Sequence, residues 1–188
     1  MALECHWVAP PKLMSKQIEF KAIYDEFKNL VYNLALNYVQ NQADAEDITQ
    51  EVFVKVHQNL DRYNPELASL KTWIYRISIN QSLDALKSRK AARRFGFLTS
   101  LFQSDHIEPI GEIESYDHPG VALEDKEELE ILFRRINSLT DNQKTVIILL
   151  KIEDRSQKEV AEIMNLNVKA VESLFQRAKL SLSKKLKD

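Results

Sequence analysis

Three groups of side chains in this sequence have the types and spacing to engage a charged partner. Near the C-terminus, one helix face would present Lys169, Ala170, Glu172, Ser173, Gln176, Arg177 and Lys179. Arg, Lys and Gln on such a face can grip phosphates or read base edges in a major groove. Earlier, Asp44, Asp47 and Glu51 stand at i, i+3 and i+7, a carboxylate stripe beside Gln50 and Phe53. Such a stripe suits a basic protein surface and repels DNA, although acids near a helix start also stabilise the helix itself. Between these lie Trp73, Tyr75 and Asn80, followed by the basic run Lys87, Arg89, Lys90, Arg93 and Arg94. Aromatic and basic residues together suit unpaired bases and their backbone. Trp73 itself, in register with Ile77, reads as core.

The elements that must position these groups are helical throughout. Phe20, Ile23, Tyr24, Phe27, Leu30, Val31, Leu34 and Tyr38 recur at helical spacing and predict a helix over about 17–39. Ala45, Ile48, Val52, Val56 and Leu60 stripe a second helix that breaks at Asn64-Pro65. A third covers about 69–89, with Leu70, Trp73, Ile74, Ile77, Leu83 and Leu86 inward. Residues 95–121 hold Gly96, Pro109, Gly111, Pro119 and Gly120, are strongly acidic, and read as a linker. Helices resume from about Ala122, with capping boxes Thr140-x-x-Gln143 and Ser156-x-x-Glu159 and a last helix capped by Asn167. The span from Ser156 to Lys179 is a short helix, a turn of about four residues and a longer helix, the helix-turn-helix pattern. By spacing alone, a plain helical hairpin with a solvated polar face fits equally well. The expected fold is all-α: a small helical domain over 15–94, an acidic linker over 95–121 and a second helical domain over 122–188.

Residues 1–14 read as a flexible tail, with Pro10-Pro11 blocking a helix and Met14 a second candidate start. This stretch lacks the apolar core of a secretory signal, and no apolar run approaches a membrane span. The lone Cys5 allows no internal disulfide, which fits the cytoplasm. His6, His57, His106 and His118 are scattered, so neither a metal site nor a cofactor is expected. Without a Gly-rich phosphate loop, nucleophile elbow or Cys pair, no enzymatic reading has residues to support it. The net charge of −2 looks unfavourable for nucleic acid. The acids, however, concentrate between Phe95 and Glu128, which leaves both flanks basic, and phosphate binding depends on local clusters.

Two blocks carry a family resemblance. Ile136-Asn-Ser-Leu139, the Gln143-Lys144 helix, Glu159-Val160-Ala161-Glu162-Ile163-Met164 and Lys169-Ala170-Val171-Glu172-Ser173-Leu174 with Arg177-Ala178-Lys179 resemble the σ4 domain of bacterial sigma factors. Asp44-Ala45-Glu46-Asp47, Gln50-Glu51-Val52-Phe53 and Thr72-Trp73-Ile74-Tyr75-Arg76-Ile77 with Asn80 resemble σ2 of the extracytoplasmic-function type. Together they cover nearly everything after residue 15. The resemblance implies an alternative sigma factor that binds core RNA polymerase, through the β′ clamp helices and the β subunit, and directs promoter recognition, melting and initiation. It implies polymerase binding by Asp44, Asp47, Gln50, Glu51 and Phe53. It implies contact with the −10 element by Lys71, Asn80, Lys87, Arg89, Lys90, Arg93 and Arg94, with Asn80 holding an extruded base. The −35 element falls to Lys144, Arg155, Ser156, Lys158, Lys169, Ala170, Glu172, Ser173, Gln176, Arg177 and Lys179. Promoter elements about 25 base pairs apart lie roughly 85 Å apart, within the ~100 Å that an extended linker of this length can span. An anti-sigma factor is a further implied partner.

The chain departs from the family at several positions. Thr140 and Lys144 stand where many relatives have Pro and Arg, Asn165 where a turn glycine is common, and Glu172 where a Lys is frequent. Lys144 lacks the planar fork of Arg. Glu172 weakens a phosphate contact but can accept a hydrogen bond from cytosine N4. Two other readings remain: a helix-turn-helix regulator that is not a sigma factor, which leaves 44–53 and 72–80 unexplained, and a polymerase-binding adaptor that never reads DNA.

Overall fold

The computed structural model describes residues 11–102 and 123–184, and these are helical with short connections. The first block contains α1 (Pro11–Val39), α2 (Gln42–Asn59) and α3 (Leu70–Phe102). The second contains α4 (Leu123–Asn137), α5 (Asp141–Ile147), α6 (Gln157–Met164) and α7 (Val168–Lys184). Between α5 and α6 the chain widens into a π turn, Ile148–Ile152, in which Glu153 N–H reaches back to Ile148 O at 2.9 Å.

Helix α1 begins at Pro11 rather than near Gln17. Proline is at home in the first helical position, where its missing N–H has no partner to lose, so Pro11 opens the helix instead of blocking it. The helix ends where Gln40 turns left-handed at φ 53° and its N–H closes on Leu36 O. Asn41 then caps α2, accepting from Asp44 N–H at 2.9 Å. Ser69 opens α3 in the same way. Ser78 and Ser82 are fully buried on α3 and return their hydroxyls to Ile74 O and Ser78 O, which lets the neighbouring helices approach closely. Helix α3 continues through Gly96 to Phe102, past the expected linker start at Phe95; a single helix glycine costs only about 1 kcal/mol.

The apolar core does not stop at the boundary between blocks. Val31, Leu34, Tyr38, Ile74 and Tyr75 from the first block share one cluster with Ile148, Leu149, Val160 and Val171 from the second. Leu34 to Val39, the last turn of α1, is buried on every side because α2 and α3 cover one face and the π turn meets the other. A smaller cluster of Phe133, Ile136, Leu139, Ile147 and Ala178 joins α4, α5 and α7. Among the described residues no helix is long and apolar enough to cross a membrane.

Candidate nucleic-acid interface

The helix-turn-helix is built from local hydrogen bonds. Ser156 Oγ accepts from Glu159 N–H at 3.2 Å, and Glu159 Oε2 accepts from Ser156 N–H at 2.8 Å. Those bonds hold the Glu159 carboxyl below its ordinary range, with Arg155 and Lys71 adding to the effect. Helix α6 ends at Asn165, left-handed at φ 53°, a conformation asparagine tolerates. Leu166 N–H closes on Ala161 O at 2.8 Å, and Asn167 accepts from Ala170 N–H to start α7. Buried Ala161 packs at the joint, and Val171 and Ala178 anchor α7. Its outward face presents Lys169, Glu172, Ser173, Gln176, Arg177 and Lys179 to solvent, with Ala170 half-buried. Lys158 is exposed on α6, and Ser156 is committed to the cap.

Two of the expected −35 residues lie elsewhere. Lys144 is 2 % exposed, and burial, reinforced by repulsion from Lys90, lowers its ammonium to about 8 despite attraction from Asp141. In this conformation it is buried and offers no surface to DNA. Arg155 is half-buried, with its guanidinium 5.8 Å from the Tyr75 ring centre and 3.7 Å from the Glu159 carboxylate.

On α3, Asn80 is exposed and opens into a pocket of about 290 Å³ lined also by Lys55, Asn59, Arg62, Trp73 and Ile77. Trp73 lies half-buried against Tyr63, ring centres 5.2 Å apart. The pocket offers amides, cations and an aromatic wall, the equipment for an unstacked base. Lys55, Asn59 and Arg62 escaped sequence reasoning: they come from the other side of the α2–α3 turn, and no local pattern pairs them with Asn80. Tyr75 belongs to a different surface. It is 1 % exposed and bonded to Glu153, so it is unavailable to a base. Lys71 is exposed but close enough to influence Glu159, on the side of α3 away from Asn80.

The basic run is partly engaged. Lys87 pairs with Asp84 and, across the blocks, with Asp141, each at 3.6 Å. Arg89 pairs with Asp44. Lys90 and Arg94 are exposed, and the Arg93 side chain lies outside the described residues.

Helix α2 carries the carboxylates as spacing predicts. Asp47, Gln50 and Glu51 are exposed, and a groove of about 510 Å³ runs past Asp44, Asp47, Glu51, Asp84 and Arg89. Glu51 accepts from Gln81, which in turn accepts from Lys55. Phe53 departs from the expected contact set. It is 4 % exposed and packs edge-on to Phe20 and Tyr24 at 6.4 and 4.7 Å, so it shapes α2 from beneath. Among the described residues no three His, Cys, Asp or Glu side chains gather to hold a metal.

Comparison with known proteins matches residues 23–92 to the sigma-70 region 2 model and residues 129–182 to the sigma-70 region 4 model. The chain is 29% identical over 181 residues to the ECF RNA polymerase sigma factor SigW of Bacillus subtilis, covering 92% of this chain and 91% of that one. It is 27% identical over 170 residues to the ECF RNA polymerase sigma-E factor of Escherichia coli K12, covering 90% and 87%. Two solved structures share the fold at a TM-score of 0.61. CnrH in complex with the cytosolic domain of CnrY is 24% identical and covers 91% of this chain and 89% of that one. The sigma factor RpoE in complex with the anti-sigma factor NepR from Bartonella quintana is 20% identical and covers 90% and 97%.

Proposed function

From the premise that this chain belongs to the sigma-70 family, in its extracytoplasmic-function group, we propose how its two blocks divide the work of an alternative sigma factor. The chain directs core RNA polymerase to promoters and transcription initiation. In our reading the first block docks on the polymerase through the α2 carboxylates Asp47 and Glu51 with Gln50, and takes the −10 element at the Asn80 pocket. Lys90 and Arg94 would approach the phosphates beside it. The second block reads the −35 element with the outer face of α7. The observation that carries this reading is that one chain exposes both a basic recognition helix and, on a separate block, an amide-lined pocket of base size.

Such a chain supplies binding energy and leaves the chemistry to the polymerase, so we read it as non-enzymatic. It would act where the polymerase is, in the cytoplasm. The two solved relatives are held by CnrY and by the anti-sigma factor NepR; by extension, an anti-sigma factor is proposed as a partner here. The division of work is tested by adding the full chain to core polymerase and mapping transcripts from genomic DNA. Discrete new starts are expected. Retention on the core without new starts would mean an adaptor, and starts without dependence on the chain would remove the reading altogether.

A further inference from the structure

The first turn of α7 is poorly explained by folding. Helix starts favour acids, because the backbone leaves a partial positive charge there, yet α7 has no acid in its first turn and sets Lys169 there instead. Val168, in the first helical position, is apolar but 39 % exposed. It joins neither apolar cluster; α7 contributes Val171 and Ala178 to these, with Leu174, Phe175 and Leu182 packed against them. The cap is complete without it, since Asn167 accepts from Ala170 N–H at 2.8 Å. A β-branched side chain gains nothing for the helix either, because it is stiff at χ1 and lowers helix propensity.

Position gives Val168 a use. In a helix-turn-helix the N-terminal end of the second helix comes closest to the base edges, which is where a short side chain reaches them. Val168 lies one turn before Glu172, on the same row of α7 and at the margin of its outer face. Glu172 is exposed and an acceptor, which matches the N4 amine of cytosine; the apolar group that the same groove offers is the thymine C5-methyl. One helical turn rises about 5.4 Å, and successive base pairs lie about 3.4 Å apart. The two side chains therefore span one or two base steps.

We propose that Val168 is a specificity-determining residue of the −35 contact, packing its methyl groups on the C5-methyl of a thymine one or two steps from the cytosine taken by Glu172. The proposal rests on the sigma-factor reading above. Contact between the two apolar groups removes both from water and favours thymine over a base without the methyl by about fourfold, the value of one buried group of that size. Lys169 beside it adds affinity through a phosphate without choosing a base. The apolar residue at the helix start thus selects, and the cation next to it holds.

The test uses the full chain on core polymerase and a promoter duplex selected from a library randomised over the −35 element. Each thymine of the selected element is replaced singly by deoxyuridine, which removes the methyl and keeps the pairing. Wild type is expected to lose about fourfold in affinity at one thymine, one or two steps from the selected cytosine. With Val168→Ala, thymine and uracil at that position bind alike, while helical content and retention on polymerase stay unchanged. Val168→Thr, which keeps the shape and one methyl, retains part of the preference. Leu166→Ala, at the exposed turn before α7, retains all of it. Equal binding of thymine and uracil by wild type at every position would overturn the proposal, as would a preference that survives Val168→Ala or disappears with Leu166→Ala. Absence of polymerase-dependent starts from genomic DNA would instead sink the sigma-factor reading, and the Val168 assignment with it.

Discussion

The Tyr38 hydroxyl donates to Thr145 Oγ1 at 2.8 Å, joining α1 to α5 across 107 residues of sequence. Thr145 passes the interaction on, donating to Asp141 O at 2.9 Å. Burial raises the Tyr38 phenol above its ordinary range, so the donor keeps its proton. Removing it with Tyr38→Phe leaves the ring packing intact and deletes one buried bond. A loss of about 1 kcal/mol is expected, read as a lower denaturation midpoint with unchanged slope.

Lys144 makes the stability of the folded chain depend on pH. Its ammonium is lowered from 10.5 to about 8, so between those values the unfolded chain binds the proton and the folded one does not. Stability should therefore rise with pH from about 8 and be lowest, from this group, below 8. Tyr75, raised to about 12, works the other way above its ordinary value of 10.0. The expected profile climbs between about pH 8 and 10, then flattens or falls. Lys144→Met should abolish the climb in denaturant titrations across that range; an unchanged profile would remove Lys144 as its source.

Asn80 should matter for strand separation more than for duplex binding. Asn80→Ala removes the exposed amide from the pocket shared with Trp73 and Arg62. Open-complex formation, followed by reactivity of unpaired thymines, is expected to fall on the order of tenfold, equivalent to about 1.4 kcal/mol. Binding to closed duplex should change less than about twofold. Normal opening by the variant would end the base-pocket assignment.

Glu172 is expected to set base preference. It is exposed on α7 among Lys169, Ser173 and Gln176. Glu172→Lys should shift selection from a randomised −35 library away from cytosine at one position, a change of about 1–3 kcal/mol in discrimination. Polymerase retention should not move. An unaltered selected sequence would show that Glu172 does not face the bases.

Phe53 and its exposed neighbours should separate stability from docking. Phe53→Ala empties a core site against Phe20 and Tyr24 and is expected to cost about 3–5 kcal/mol of stability. Asp47→Ala, at the exposed surface, should leave stability within about 0.5 kcal/mol yet weaken retention on core polymerase. Retention unaffected by Asp47→Ala with Glu51→Ala would place the docking surface elsewhere.

What was legible in the sequence was what local chemistry dictates. The cap at Ser156, the left-handed Asn165, the Asn167 start of α7 and the carboxylate row on α2 all depend on residues within one or two turns. Phe53 was misplaced because a motif of neighbouring residues does not say which of them point inward. Lys144 reads as a DNA contact by type and position, and Tyr75 as part of an aromatic and basic group, but the burial of Lys144 and the Tyr75 bond to Glu153 arise only in the packed chain. The same holds for Lys55, Asn59 and Arg62, which reach the Asn80 pocket only once α2 and α3 are packed. Glu153, which accepts from Asn37 and Tyr75, and Arg76, which donates to the Glu162 and Ile163 carbonyls, carried no individual signal: a lone acid after an apolar run and a lone base in a helix look like solvated charges.

The π turn at Ile148–Ile152 gives the contacts of Glu153 with Asn37 and Tyr75 a dependence on chain length. One added residue in a helix advances everything after it by about 100° around the axis. Without that advance, the carboxylate of Glu153 would leave the direction of Asn37 and Tyr75, and a different side chain would meet them. Deleting a single residue from this turn should therefore act like a change of phase, breaking those contacts while leaving the helices on either side intact. Among relatives, the number of residues between the two capping boxes would then sort chains that can make these contacts from those that cannot.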